Sequence, residues 1–148
     1  MRQKNNWHPK SVEMKKKNKV DLSSHKKLEG LVNKWRDIVG VDPIYIIEII
    51  ESTDTSFPAW VDGLSLDNPH PTVNMFINAN WLQKNKNNEK EIVSTIIHEL
   101  VHIMIWDQII QINPNYEYSG VQARANELLT MKITKAIMYS YCEKENIM

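Results

Sequence analysis

The chain has 148 residues, which suits one domain with a sizeable core and is short for two. Its 42% hydrophobic and 24% charged residues are typical of a folded globular protein. Eighteen basic and eighteen acidic residues give a net charge of zero, which argues against a dedicated nucleic-acid binder. The single cysteine, Cys142, excludes an internal disulfide and a cysteine zinc site. Without an apolar run of about 18–20 residues or a secretory signal, we expect no membrane association and a cytoplasmic location.

The beginning of the chain is strongly basic. Residues 1–27 hold nine Lys or Arg and two Asp or Glu, so they carry +7 and the remainder carries −7. Residues 1–20 have almost no apolar periodicity, and we expect them to form a flexible arm. The arm is either merely solvated or a tether to an acidic partner or to nucleic acid. Residues 21–148 are then a single domain.

The first part of that domain, up to residue 78, is predicted to contain one helix followed by three strands. Apolar residues at helical spacing after Leu22 predict a helix that Gly40 ends. The β-branched run at residues 44–50 predicts a strand buried on both faces. Residues 58–66 predict a second strand or a hairpin, and residues 72–78 predict a third strand.

Two helices follow the strands. A polar junction at residues 85–88 precedes a long helix at about residues 89–110, and a loop containing proline and glycine separates it from a last helix at about residues 121–143. This order predicts an α+β fold, in which helices pack against one small sheet of three or more strands.

The sharpest chemical signal is the sequence His98-Glu-Leu-Val-His102 in the long helix. Residues four apart lie one turn apart on one helical face, so both imidazoles can reach one metal ion. Zinc suits two neutral imidazoles and leaves room for a third ligand and a water. Glu99 projects about 100° around the helix, beside the metal, where it can take a proton from the metal-bound water.

The residues around the motif are apolar on almost every side of the helix. Such a helix is expected to be buried, and burial of two histidines and a carboxylate without partners would cost several kcal/mol. A metal ion and a water would supply those partners. The competing interpretation, in which the histidines and Glu99 meet other side chains or solvent, is weaker for this reason.

The third ligand must be a carboxylate because no histidine follows His102. Asp107 lies too far along the same helix to fold back onto the metal. Glu127 lies 25 residues beyond His102 on the predicted last helix, among small and apolar residues, and is the first choice. A salt bridge to Arg124 is its alternative role. Glu117, in the loop, is the second candidate ligand.

The motif and the later Glu127 resemble the gluzincin group of zinc metallopeptidases. Residues 72–135 as a whole are similar to the compact SprT-like and ImmA-like zincins of bacteria and phages. The resemblance implies a zincin-like fold, with His98, His102 and Glu127 as zinc ligands and Glu99 as catalytic base. The chain departs from SprT-like proteins, which use a third histidine, and it has Met131 where many gluzincins have an aspartate that orients a ligand histidine.

The resemblance also implies where a peptide binds. In zincins the strand before the active helix is an edge strand to which a peptide adds, which would make residues 73–78 the substrate platform. Tyr116 and Tyr118 are the available donors for the oxyanion of the transition state, and Tyr139 is a more remote one. A packing role is the alternative for these tyrosines.

The sequence thus predicts a zinc metallopeptidase, in which Glu99 activates a zinc-bound water to hydrolyse a peptide or protein substrate. Its rival is a binding module, a zincin scaffold that keeps the metal, docks a partner and cleaves nothing. The intact Glu99 favours the enzyme, since a purely structural metal site has no use for that base.

Overall fold

A computed structural model describes residues 21–53, 57–63, 71–113 and 120–142. These ranges contain helices α1 (His25–Val39), α2 (Ala79–Asn85), α3 (Glu89–Ile112) and α4 (Gly120–Ile137), which continues into a π-helical turn (Met138–Cys142). They also contain strands β1 (Ile46–Ser52), β2 (Ala59–Asp62) and β3 (Thr72–Asn78). The predicted α+β class is confirmed. The predicted arm, residues 1–20, lies outside the described residues.

The three described strands form one mixed sheet in the order β1-β3-β2. Strand β3 pairs with β1 in parallel along its whole length and with β2 in the antiparallel sense from Asn74 to Ile77. The expectation that residues 73–78 form an edge strand is therefore wrong: β3 is central, and its ladder bonds are used on both sides. The antiparallel edge strand of this sheet is β2.

The first strand is less buried than its composition suggests. The apolar run was expected to be covered on both faces, but Ile49 is the one buried residue of β1, and Ile46 is 50% exposed. Among the described strands β1 borders β3 alone, at the edge opposite β2. The inward-facing side chains of β3 are instead the fully covered ones (Val73, Met75 and Ile77).

The ends of the early helices follow from local capping. The Ser24 side chain accepts a hydrogen bond from the backbone N–H of Lys27 and begins α1. Gly40 adopts a φ of 95° and ends it, a conformation that favours glycine. The short helix α2 was not predicted; the buried Asn78 starts it by accepting from the backbone N–H of Trp81. Asn78 is thus the N-cap of α2.

Helix α3 is the core helix of the fold. It packs against α1, α4 and β2, and most of its apolar side chains are buried, as predicted. Asp107 is also buried, and it accepts hydrogen bonds from the Tyr45 hydroxyl and the Gln111 amide. Among the described helices α3 alone is long and apolar enough to cross a membrane by length and composition, and half of that window is buried inside the protein.

The last helix differs from its prediction in two ways. Regular α-helix ends at Ile137, and a π-helical turn replaces the expected continuation to residue 143. The surface around Glu127 was expected to be buried, but Leu128, Leu129 and Met131 are about half exposed. Helix α4 packs mainly on α3, so one side of it is covered and these residues face outward.

Candidate metal centre

Three side chains from two helices converge at one point of the structure. The Nε2 atoms of His98 and His102 lie 2.9 Å from Oε1 and Oε2 of Glu127, respectively. The two Nε2 atoms are 3.1 Å apart, and the possible ligand atoms of the group all lie within 4.8 Å of one another. This group could hold a metal ion, as the motif and Glu127 predicted, and Glu127 contacts the histidines as the first-choice ligand should.

The helices explain why the group forms. One turn of α3 separates His98 from His102, so both rings project from the same side of the helix. Helix α4 packs alongside α3 and brings Glu127 opposite them. The histidine side chains are 23% and 16% exposed, whereas the Glu127 side chain is 47% exposed. The group therefore lies at the mouth of a cleft, with imidazoles on its inner side and a carboxylate on its outer side.

The atom spacing fits a small divalent cation. A tetrahedral centre with bonds of about 2.0–2.1 Å separates its ligand atoms by about 3.3–3.4 Å. The observed separations of 2.9–3.1 Å are within a few tenths of an ångström of that value. Lone pairs of imidazole nitrogens and carboxylate oxygens repel one another at such distances unless a proton or a cation lies between them. The donor set thus suits a bound metal.

Thr130 fixes the orientation of one of these imidazoles. Its Oγ1 lies 3.3 Å from Nδ1 of His102 and 2.7 Å from the backbone oxygen of Asn126. A hydroxyl has one hydrogen, and Thr130 donates it to Asn126, so the oxygen accepts from Nδ1–H of His102. This tautomer leaves Nε2 free to ligate. The gluzincin resemblance implied such a group at the position of Met131, whereas Thr130, one residue earlier on α4, contacts the histidine.

Replacing Thr130 with Val should weaken metal binding by about 10–100-fold, because the tautomer and ring orientation of His102 would no longer be fixed. The measurement is zinc affinity by competition with a chromophoric chelator. Thr134→Val is the matched control, since the Thr134 hydroxyl is buried and has no hydrogen-bond partner among the described residues. Equal affinities of the Thr130→Val, Thr134→Val and wild-type proteins would remove Thr130 from the site.

Glu99 lies beside the group on the buried side of the cleft. Its side chain is only 6% exposed, and it lines the same cavity as His98 and His102. Burial, and to a lesser degree the charge of Glu127, raise the pKa of the Glu99 carboxyl to about 8 in the absence of a metal. Burial also lowers the pKa of His102, with the Glu127 carboxylate opposing that shift. Proton-transferring groups at functional sites commonly have such perturbed pKa values.

The raised pKa of Glu99 predicts that the metal-free protein loses stability as the pH rises. Between the ordinary value of 4.5 and about 8, the folded protein holds a proton that the unfolded chain has released, so the free energy of unfolding falls with pH. We expect a loss of roughly 1–2 kcal/mol from about pH 6.5 to about pH 8 in the presence of a chelator. Because the pKa of His102 is lowered from 6.5, its titration makes the free energy of unfolding rise with pH. That effect lies below about pH 6.5 and so does not overlap the range measured for Glu99.

Chemical denaturation at the two pH values measures this effect. Glu99→Gln has no titrating carboxyl and should be nearly independent of pH over the same range. An equal pH dependence of the variant and the wild type would assign the effect to another group.

The cleft beside the group is bounded by strand β2. A cavity of about 750 Å³ lies between this strand and α3, with His98, Glu99, His102 and Glu127 on its lining. The other lining residues are mostly apolar (Phe57, Pro58, Ala59, Trp60, Val61, Ile105, Trp106 and Ile109). Trp60 stacks on its cross-strand neighbour Phe76 with ring centroids 4.5 Å apart, which holds the indole at the wall of the cavity. The sequence did not predict that β2 would bound this cleft or that Trp60 would line it.

Some of the remaining candidate residues lie outside the described part of the chain, and the others have been located by the structure. The oxyanion donors Tyr116 and Tyr118 and the alternative ligand Glu117 lie outside the described residues. Asp107 is paired with Tyr45 and Gln111, in agreement with its rejection as a ligand. Tyr139 is 68% exposed and lines a second cavity on the other side of the group.

Comparison with models of known protein families, with curated proteins and with solved structures gives no match for this chain. The resemblance to gluzincins, and to SprT-like and ImmA-like zincins, therefore stays a prediction. What the structure provides is a group of two histidines and one glutamate able to hold a metal, a buried glutamate beside it, and a cleft bounded by an edge strand.

Proposed function

We propose that this protein is a zinc-dependent metallopeptidase with a zincin-like fold. The observation that carries the proposal is the convergence of His98, His102 and Glu127, with the buried Glu99 on the lining of the same cleft. A metal group without hydrolytic function would not require a buried carboxyl next to its ligands, since such a carboxyl destabilises the fold.

The donor set and its surroundings favour zinc. Two imidazoles and one carboxylate are ligands of catalytic zinc, and the same set also suits Fe²⁺. The presence of Glu99 favours zinc over Fe²⁺, because a hydrolytic zinc centre needs a base and an oxygen-activating iron centre does not. When bound, zinc would polarise the substrate carbonyl and lower the pKa of water.

Glu99 is the proposed proton carrier of the reaction. A cation held by the neighbouring ligands would lower the pKa of this carboxyl from about 8, so the carboxylate form could accept a proton near neutral pH. Glu99 takes that proton as the water oxygen bonds to the peptide carbon. It then gives the proton to the amide nitrogen as the C–N bond breaks, which yields a carboxylic acid and an amine.

The edge strand β2 is the proposed substrate platform in place of β3. Its backbone groups on the side away from β3 have no strand partner among the described residues. An extended peptide could add there by main-chain hydrogen bonds and lie between β2 and α3, directly over the group. The aromatic and aliphatic residues of the cavity would contact its side chains. Tyr116 and Tyr118 stay the predicted oxyanion donors.

Metal-dependent cleavage of a peptide library tests the proposal against the binding-module alternative. We expect the zinc-loaded protein to produce cleavage fragments, detected by mass spectrometry. Chelation should abolish cleavage, and re-addition of zinc should restore it. Zinc binding without any fragment, from unfolded proteins as well as from peptides, would contradict hydrolysis and favour a catalytically silent scaffold.

A further inference from the structure

The cleft continues past the metal group into a second cavity of different character. This cavity has a volume of about 1110 Å³ and shares Ser94, His98 and Glu127 with the first one. Helix α4 and the turn after it form much of its lining. A chain that lies across His98 and Glu127 would therefore have apolar walls on one side of the group and the second cavity on the other.

Three lysines give the second cavity its charge. Lys90, at the start of α3, and Lys132 and Lys135, on α4, line it, and all three are exposed. Glu127 is the one acidic residue among the described lining residues, and its carboxylate is already engaged with the two histidines. The described lining of this part of the cleft thus carries three basic side chains and no acidic side chain besides Glu127.

The second cavity also has apolar surface beside the lysines. Thr134 contributes little to it, because the residue is only 6% exposed and its hydroxyl oxygen is shielded from solvent. Met131 and Tyr139 supply exposed apolar surface beside the lysines.

From this charge distribution we propose that the protein selects peptides that carry a carboxylate on one side of the scissile bond. The inference rests on the proposed function and names its substrate class: an extended peptide with apolar side chains over the first cavity and an acidic group in the second. The carboxylate would come either from an Asp or Glu side chain or from the C-terminus of the peptide. Lys132 and Lys135 would attract it directly.

Binding can be measured apart from turnover with the zinc-loaded Glu99→Gln protein. The acidic probe is a fluorescent peptide with an apolar aromatic centre, Glu on both sides of it and both termini blocked. The neutral probe has Gln in place of Glu. A third probe is the neutral peptide with a free C-terminal carboxylate. Fluorescence anisotropy gives the three affinities.

We expect the acidic probe or the free-carboxylate probe to bind at least about fivefold more tightly than the neutral probe. Lys132→Glu/Lys135→Glu should remove this preference, and salt should weaken it because the lysines are exposed. Lys26→Glu/Lys84→Glu is the matched control, since it makes the same charge change on α1 and α2, away from both cavities. The probe that gains affinity identifies the source of the carboxylate.

Equal affinities for the three probes, or equal losses in the two charge-reversal variants, would overturn the inference. Cleavage of the same probes by the wild-type protein is a separate readout. Cleavage without a charge preference would leave the peptidase proposal standing and remove the inference. A charge-dependent affinity without cleavage would keep the recognition of carboxylates and remove the peptidase.

Discussion

Replacing Glu99 with Gln is expected to reduce peptide hydrolysis by about 10²–10⁴-fold while zinc stays bound. Gln keeps the size and most of the hydrogen-bonding capacity of Glu99 but cannot accept the proton of the attacking water. Because Glu99 is not one of the three converging ligands, zinc content should not change. The measurement is the rate of fragment formation at matched zinc content, over a range of substrate concentrations.

Glu91→Gln is the control for this variant. Glu91 lies on the same helix two turns earlier and is exposed, so the same chemical change there should leave the rate unaltered. Equal rates for wild type and Glu99→Gln would indicate a contaminating protease or a mechanism that does not use Glu99. A loss of zinc in Glu99→Gln would instead show that this carboxylate supports metal binding.

Replacing Glu127 with Gln should lower zinc affinity by about tenfold or more, because the site loses its one anionic ligand. Its carboxylate oxygens lie 2.9 Å from the two imidazoles. Among the described residues, Glu127 is the one carboxylate in the group that could hold the metal. Competition with a chelator gives the affinity. The zinc-induced rise in melting temperature should shrink in parallel, because stabilisation by a ligand follows its affinity.

Glu91→Gln is again the control, because it makes the same chemical change and leaves His98, His102 and Glu127 in place. Unchanged zinc affinity of Glu127→Gln would place the third ligand elsewhere, and Glu117→Gln would then be the variant to measure. Loss of affinity in Glu127→Gln together with full affinity in Glu117→Gln would confirm the ligand set that the geometry favours.

The parts of the site that follow from local periodicity were predictable from the sequence. The spacing of His98 and His102 fixes their relation on one helix, and the apolar residues around them predict its burial. Glu127 could be selected because the small and apolar residues near it predict close packing of the last helix on another helix. These inferences need no knowledge of how the strands pair.

The parts that depend on strand order and on helix rotation were not predictable. The position of β3 in the centre of the sheet depends on β2 pairing with it from the far side, which no local pattern in residues 72–78 encodes. The assignment of Thr130 requires knowing which side of α4 faces His102, and a one-residue difference separates it from the exposed Met131. Lys90 lies on α3, and Lys132 and Lys135 lie on α4, so these lysines line one cavity only because the two helices pack together.

Anomalous scattering from crystals of the zinc-loaded protein tests the central claim most directly. Data collected on both sides of the zinc absorption edge should show one peak between Nε2 of His98, Nε2 of His102 and the Glu127 carboxylate. The bonds are expected to be about 2.0–2.2 Å, with an open position facing the cleft. A zinc peak elsewhere on the chain, or none between these three side chains, would contradict the metal centre and the peptidase proposed from it.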